Sequence, residues 1–267
     1  MRRYIFALPV IFIVFFALTG ISWKPSDIKS NPTAIAVAEP TADQLFASYV
    51  QNIYQTANLE ASGLSMSVFE KAMTGYINLK QAGKISAAKS VLTIADFDQS
   101  STKKRLWIVD LDQQKLLMNT WVAHGQGSGA DKPSKFSNVN NSYQSSVGFY
   151  VTGEIYSGQH GRSLRLDGMD QGFNSNARSR AIVVHGADYV SQGTISALGR
   201  LGRSQGCPAV APELAGKVID AIAGKTVLFI NATTEAYNSK YLNEGSAAMF
   251  AANLMNHQET LDTVSSI

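Results

Sequence analysis

Hydrophobic residues recur with a helical period in the first well-patterned part of the chain. Within 42–58, and again within 67–83, apolar positions return every three to four residues, which predicts two helices. Thr41 and Gln44 have the spacing of a capping box at the start of the first helix. Ser67 gives a similar start signal for the second helix.

The hydrophobic period changes to two from Val91 onward. Short runs rich in Val, Ile, Leu and aromatic residues alternate with polar turns, which predicts strands. These runs are 91–97, 105–110, 115–123, 149–155, 163–166, 181–184 and 226–230. Pro212 is placed to open one more helix before the last strand. The pattern predicts an α+β protein that is mostly β, with few helices.

The chain begins with the layout of an export signal. Arg2 and Arg3 precede the run 4–18, which is apolar apart from Pro9. Two interpretations of 1–21 stay open: a signal peptide that is cleaved, or a signal anchor retained in the inner membrane. Either one predicts an exported protein of the periplasm or cell envelope.

Composition marks the other boundaries. Residues 22–40 contain three prolines among small and polar residues, which predicts a flexible linker. Residues 41–84 form a helical preface, and 88–231 form the larger, mostly β domain. Residues 232–267 form a C-terminal tail, to which the pattern assigns no function, with a short amphipathic helix expected over 247–254.

Charge and cysteine content exclude some classes of function. The chain has 267 residues, a net charge of +3 and no basic run, so no nucleic acid partner is expected. It has one cysteine, so no intrachain disulfide frames the fold. One cysteine and scattered histidines do not supply a spaced set of ligands, so neither a metal nor another cofactor is expected.

The single cysteine is the strongest candidate for chemistry. Cys207 lies between Gly206 and Pro208, in a hydrophilic turn that favours an exposed thiol. A lone cysteine is more often a small buried apolar residue, but this position favours a nucleophile. A thiol needs a base to become reactive, and two histidines that end predicted strands are candidates. His185 is favoured over His124 because its strand leads into the Cys207 loop.

Several separate motifs resemble one enzyme family. The matching segments are 105–110, 122–125, 135–138, 146–150, 185–186 and 199–209. Together they resemble the catalytic signature of the YkuD-type L,D-transpeptidases, and more narrowly the murein L,D-transpeptidase catalytic-domain family with a Gly-Cys-Pro-Ala signature. The resemblance spans roughly 64–230 and implies a YkuD-like β-sandwich with a few helices and, before it, the helical preface.

The resemblance implies acyl transfer on peptidoglycan stem peptides. Cys207 would attack a peptide carbonyl to form a thioester, and His185 would move the protons. The Gly186 carbonyl would orient the imidazole ring. Backbone N–H groups near Gln205, Gly206 and the nucleophile itself would stabilise the oxyanion.

Further residues are implied around this pair. Ser204 would brace the turn, and the loop 187–198 would form a local lid. The candidates for substrate binding are Arg203, Arg200, Tyr189, His124 and Gln205. His124 either lines the cleft or is a solvated histidine at a strand end. The wider family carries an arginine two places after the cysteine, where this chain has Ala209, so Arg203 or Arg200 would have to supply the positive charge.

Alternative functions share the same residues. The transpeptidase would form 3→3 cross-links or attach proteins to peptidoglycan. Water in place of the acceptor amine would give an L,D-carboxypeptidase or an amidase that releases protein from peptidoglycan. Loss of catalysis would leave a peptidoglycan-binding module. The resemblance also implies that carbapenems acylate Cys207.

Overall fold

An eight-stranded sheet forms the centre of the fold. The structure is a computed structural model that describes residues 39–234 and 236–265. The last ten of these residues are described as main chain only. The strands are β1 (Val91–Asp96), β2 (Leu106–Asp110), β3 (Lys115–Thr120), β4 (Gly148–Gly158), β5 (Gly161–Gly168), β6 (Val183–Gly186), β7 (Ala209–Val210) and β8 (Val227–Asn231). Their order is β3-β2-β1-β8-β4-β5-β6-β7. The pairs β1–β8 and β6–β7 are parallel, and the other neighbours are antiparallel.

The central strands are covered on both faces of the sheet. All residues of β1 and β8 are buried. Alternate side chains of β1 enter different cores: Leu92 and Ile94 enter one, and Val91 and Ala95 enter the other. A strand with two buried faces needs a continuous apolar run, which explains the composition of these segments.

Helix α1 (Ala42–Thr56) begins at the predicted capping box. The Thr41 hydroxyl accepts a hydrogen bond from the backbone N–H of Gln44, and the Gln44 side chain accepts one from the backbone N–H of Thr41. These two bonds satisfy donors that a helix start otherwise leaves unpaired. The first helix therefore begins where its sequence signal lies.

Helix α2 (Met66–Gln81) begins slightly earlier than its pattern predicts. Ser65, rather than Ser67, is the N-cap, because the Ser65 hydroxyl accepts a hydrogen bond from the backbone N–H of Val68. The helix packs closely on the sheet at Gly75. A Cβ atom at Gly75 would lie 2.0 Å from the ring of Phe149 in β4, so this contact requires glycine.

The C-terminal segment belongs to the same helical layer. Helix α5 (Glu244–Ser265) is longer than the predicted 247–254 helix and packs against α1 and α2. The side-chain amide of Asn78, in α2, donates to the backbone carbonyls of Tyr241 and Asn243, which directly precede α5, at 2.8 and 2.9 Å. The α5 residues that enter the core shared with β1 are Ala247 and Ala251.

The opposite face of the sheet is covered by α4 (Pro212–Ile222), which begins at the expected proline. Its apolar stripe of Val218, Ile219 and Ile222 enters the second core. Part of the expected lid, 187–198, forms a short helix, α3 (Gln192–Leu198).

The predicted fold class, α+β and mostly β with an N-terminal helical region, is confirmed. The preface, the β domain and the tail all lie in one compact unit, Pro40–Ile267. The predicted signal segment 1–21, and nearly all of the linker 22–40, lie outside the described residues. Among the helices that the structure describes, none is long and apolar enough to cross a membrane.

Candidate active site

Strand pairing brings Cys207 and His185 to the same place. Strands β6 and β7 run parallel with His185 opposite Ala209, so the loop that carries Cys207 enters the sheet directly beside the histidine. Both residues line one cleft with a volume of about 480 Å³. Residues 126, 140, 141 and 143 of the long polar loop before β4 also line it, as do residues of the β4–β5 hairpin tip.

His185 is held in a form suited to accept a proton. Only 2% of the residue is exposed, and its Nδ1 lies 2.9 Å from the Gly186 carbonyl oxygen. Because a carbonyl only accepts hydrogen bonds, Nδ1 carries the proton and Nε2 keeps its lone pair. Burial lowers the pKa of His185, so the ring is neutral near pH 7.

The Cys207 thiol is protonated at rest. It is partly exposed, and its Sγ donates to the carbonyl oxygen of Ala181 over 3.7 Å. Burial raises the pKa of Cys207, while a backbone hydrogen bond from Val183 and the charge of Arg180 act to lower it. The thiolate therefore forms only when a base removes the proton.

The turn before the nucleophile is braced by Ser204. Its hydroxyl donates to the Cys207 carbonyl at 2.6 Å and accepts from the backbone N–H of Gly206 at 3.0 Å. Gly206 has a φ of +121°, and a Cβ there would lie 2.7 Å from the Gln144 carbonyl oxygen. Both the backbone conformation and the packing thus require glycine before the cysteine.

The same turn leaves two backbone donors open. Ser204 already occupies the N–H of Gly206, which was one of the expected oxyanion donors. Across the part of the chain that the structure describes, the N–H groups of Gln205 and Cys207 have no hydrogen-bond acceptor. These two donors remain for an anion that forms in the cleft.

The other expected binding residues have different positions. Tyr189, Gln205 and Arg203 line the cleft, whereas Arg200 lies outside its lining. Arg203 donates to the Gly129 carbonyl at 2.9 Å, and Arg200 donates to the Leu201 carbonyl at 2.7 Å. Burial raises the pKa of Tyr189 to about 12, so its phenol stays neutral.

His124 supports the interior and does not line this cleft. It is fully buried, with Nδ1 2.8 Å from Arg105 Nη2 and Nε2 3.3 Å from the Gly129 carbonyl oxygen. Burial and the Arg105 charge lower the pKa of His124 to about 4. The ring thus accepts a hydrogen bond from the buried Arg105 and donates one to the Gly129 carbonyl. Arg203 donates to the same carbonyl, so both side chains hold this loop in place.

Two cleft residues were not predicted from the sequence. The His160 ring, at the β4–β5 hairpin, stacks on the His185 ring with centroids 4.3 Å apart and planes 21° apart. Arg180, just before β6, lines the cleft and its charge acts on Cys207. The basic tripeptide 178–180 before the histidine strand was the available signal for Arg180; His160 had none, because only the hairpin geometry brings it here.

No cluster of metal ligands accompanies this site. Among the residues that the structure describes, no three His, Cys, Asp or Glu side chains are grouped so as to hold a metal ion.

A family model for the L,D-transpeptidase catalytic domain matches residues 60–231, which confirms the family resemblance. Among solved structures, the L,D-transpeptidase from Mycobacterium smegmatis is similar at 15% identity and a TM-score of 0.33, covering 54% of this chain and 59% of that one. An L,D-transpeptidase from Mycobacterium tuberculosis H37Rv is similar at 17% identity and a TM-score of 0.33, covering 54% and 58%.

The helical cell shape determining protein Pgp2 from Campylobacter jejuni, as a K307A mutant, is similar at 13% identity and a TM-score of 0.38, covering 68% of this chain and 63% of that one. The chain thus spans less than two thirds of the length of each of these structures. No curated protein matches the chain.

Proposed function

The chain belongs to the L,D-transpeptidase catalytic-domain family, and from this premise we propose that it transfers an acyl group between peptidoglycan stem peptides through a Cys207 thioester. The observation that carries the proposal is the β6–β7 register, which sets His185 beside the Cys207 loop in one cleft. A nucleophile, a neutral base and two open backbone donors are the parts that acyl transfer needs.

In the first half-reaction, Nε2 of His185 takes the thiol proton and Sγ of Cys207 bonds to the carbonyl carbon of the third stem residue. The oxyanion is held by the N–H groups of Gln205 and Cys207, each such donor being worth about 3 kcal/mol. The bond to the terminal D-alanine then breaks, and the leaving amine takes its proton from His185.

In the second half-reaction, an acceptor amine gives a proton to His185 and attacks the thioester carbonyl. A new amide bond forms, the C–S bond breaks, and the thiolate recovers the proton. The acceptor is the amine of a second stem in a 3→3 cross-link, or an amine of a protein that becomes attached. Water as acceptor would make the same site a carboxypeptidase or an amidase.

A second depression of about 570 Å³ supports a reaction with two substrates. It is open and meets the Cys207 cleft at His160 and Tyr189, which line both. Two adjoining sites that share His160 and Tyr189 are what a donor peptide and an acceptor peptide require. This arrangement favours transfer over simple hydrolysis.

The proposal places the protein where peptidoglycan is assembled, outside the cytoplasmic membrane. The export pattern in 1–21 agrees with that location. Fractionation of cells that produce the full chain tests it, since recovery in the cytosol alone would contradict an envelope enzyme.

The test of the reaction is mass spectrometry of stem tetrapeptides after incubation with purified protein, with Cys207→Ala as the control. Cross-linked dimers that require Cys207 support the proposal. Shortened stems alone would identify a carboxypeptidase, and release of peptidoglycan-bound protein would identify an amidase. Unchanged stems with measurable peptidoglycan binding would leave only a binding module.

A further inference from the structure

Arg180 is a cation in the cleft wall whose described contacts are all neutral. Its Nη1 donates to the Ser137 carbonyl and, at 2.9 Å, to the Ser146 hydroxyl. Its Nη2 donates to the Gln144 carbonyl at 2.6 Å and to the Ser142 hydroxyl at 3.2 Å. The guanidinium therefore ties the long loop before β4 to the segment that leads into β6.

The absence of a carboxylate partner distinguishes Arg180 from its neighbour. Within residues 39–234 and 236–265, the ion pairs engage Arg162, Arg165 and Arg178. Arg178, two residues away, pairs with Glu154 and Asp167 on the surface. Partial burial of a charge without a counter-ion carries a free-energy cost, which an anion formed or bound nearby would offset.

The anion nearest to hand is the ionised nucleophile. A Cβ atom at Gly206 would lie 3.3 Å from Arg180 Nη2, so the guanidinium adjoins the residue directly before Cys207. Each Nη group carries two hydrogens, and each already serves two acceptors. Arg180 thus has little freedom to swing toward a substrate, and its contribution is a positive charge fixed in place.

We propose that Arg180 is a positioning residue that stabilises the thiolate of Cys207 through its fixed charge. Of the candidates from sequence, Arg203 also lines the cleft and donates to the Gly129 carbonyl, whereas Arg200 lies outside the lining. The inference rests on the proposed function only in taking Cys207 as the nucleophile, because ionisation of a thiol is measured without any peptide substrate.

Other titratable groups face the same cleft and share the electrostatics of the thiol. They are Tyr143 from the loop before β4, Tyr156 from β4, His160 from the β4–β5 hairpin, His185 from β6, Tyr189 before α3 and Arg203 from the cysteine's own loop. Comparing variants that differ at only one of these positions isolates the contribution of that group to the pKa of the Cys207 thiol.

The experiment is alkylation of Cys207 by iodoacetamide in the full chain, followed by intact-protein mass over a range of pH. In Arg180→Gln the thiol pKa should rise, so alkylation near neutral pH should slow about tenfold and converge with wild type at high pH. Arg178→Gln should match wild type. Arg180→Lys, which keeps the charge, should retain most of the wild-type rate.

Ser146→Ala separates charge from tethering, because it removes one acceptor of Arg180 and leaves the guanidinium. A wild-type pH profile in folded Arg180→Gln would overturn the proposal, and so would an equal shift in Ser146→Ala. If Arg180→Gln does not fold, Arg180→Lys decides: a near wild-type thiol pKa supports the proposal and a full unit of increase overturns it. If the variants shift the alkylation profile as expected but the wild-type protein transfers no stem peptide, the proposed function is rejected and the role of Arg180 stands.

Discussion

At the scale of single residues, Cys207 is the group whose removal tests the chemistry most directly. Cys207→Ala should abolish turnover while the free energy of unfolding changes by about 1 kcal/mol or less, because the thiol is partly exposed in a loop. Meropenem or imipenem should add one drug mass to the wild type and none to the variant. Persistent turnover by folded Cys207→Ala would remove it from the mechanism.

The two histidines that follow predicted strands should respond differently to alanine. His185→Ala should slow acylation by about 10²–10⁴-fold, because the proton acceptor beside the thiol is lost. His124→Ala should instead lower the free energy of unfolding by about 2–4 kcal/mol, since it leaves a cavity and an unpaired Arg105 donor. Acylation rates and urea denaturation of both variants distinguish the kinetic effect from the stability effect. Equal losses of acylation rate in the two variants would contradict this assignment.

Residue patterns identified the nucleophile and base as candidates because each carries a local signal: a lone cysteine in a glycine-containing turn, and a histidine at a strand end. Their predicted roles await these measurements. Arg180 lies just before β6 and binds the loop before β4, and His160 lies in the β4–β5 hairpin. Neither placement leaves a periodicity in the sequence. Whether an arginine binds carbonyls, as Arg203 does, is equally a property of tertiary geometry.

At the scale of secondary-structure elements, two helical glycines form a matched pair. A Cβ at Gly75 of α2 would lie 2.0 Å from the Phe149 ring, whereas a Cβ at Gly216 of α4 would lie 3.9 Å from the Arg162 side chain. Gly75→Ala should therefore destabilise the fold by about 1–3 kcal/mol through overpacking. Gly216→Ala should stabilise it by about 0.5–1 kcal/mol through helix propensity.

Thermal and urea denaturation of the two variants would measure these opposite signs. Stabilisation by Gly75→Ala would mean that α2 does not press on the Phe149 ring. Loss of stability in Gly216→Ala would show that α4 is constrained by something other than its own backbone.

Most elements were predictable because each has its own period or end signal. The strands follow the period of two, and α1 follows its capping box. Helix α5 was predicted too short because the residues it buries include small alanines, Ala247 and Ala251, which contrast weakly with their neighbours. Its packing on α1 and α2 depends on a partner surface that lies far away in sequence.

At the scale of the whole molecule, stability should fall as the solution is acidified. His124 is fully buried and its pKa is lowered to about 4, so the unfolded chain binds more protons between pH 6.5 and 4. Stability therefore rises with pH across this window, and its loss toward pH 4 amounts to about 3 kcal/mol from His124 alone. His185 contributes with the same sign.

Urea denaturation at several pH values measures this dependence, with His124→Gln as the matched variant. The variant should lose much of the slope between pH 6.5 and 4. Burial raises the pKa of Asp170, which acts in the opposite direction and is common to both proteins. An unchanged slope in the variant would mean that protonation of His124 is not what weakens the fold in acid.

The position of β8 has a consequence for the order in which the molecule is completed. β8 pairs with β1 on one side and β4 on the other, and so joins the half-sheet β3-β2-β1 to the half-sheet β4-β5-β6-β7. A nascent or truncated chain that stops before Val227 already contains His185 and Cys207, yet it lacks the strand that pairs with both β1 and β4. Because β1 pairs with a strand made more than half a chain later, we expect this pairing to form slowly and late. Synthesis of the nucleophile thus precedes completion of the scaffold that holds it.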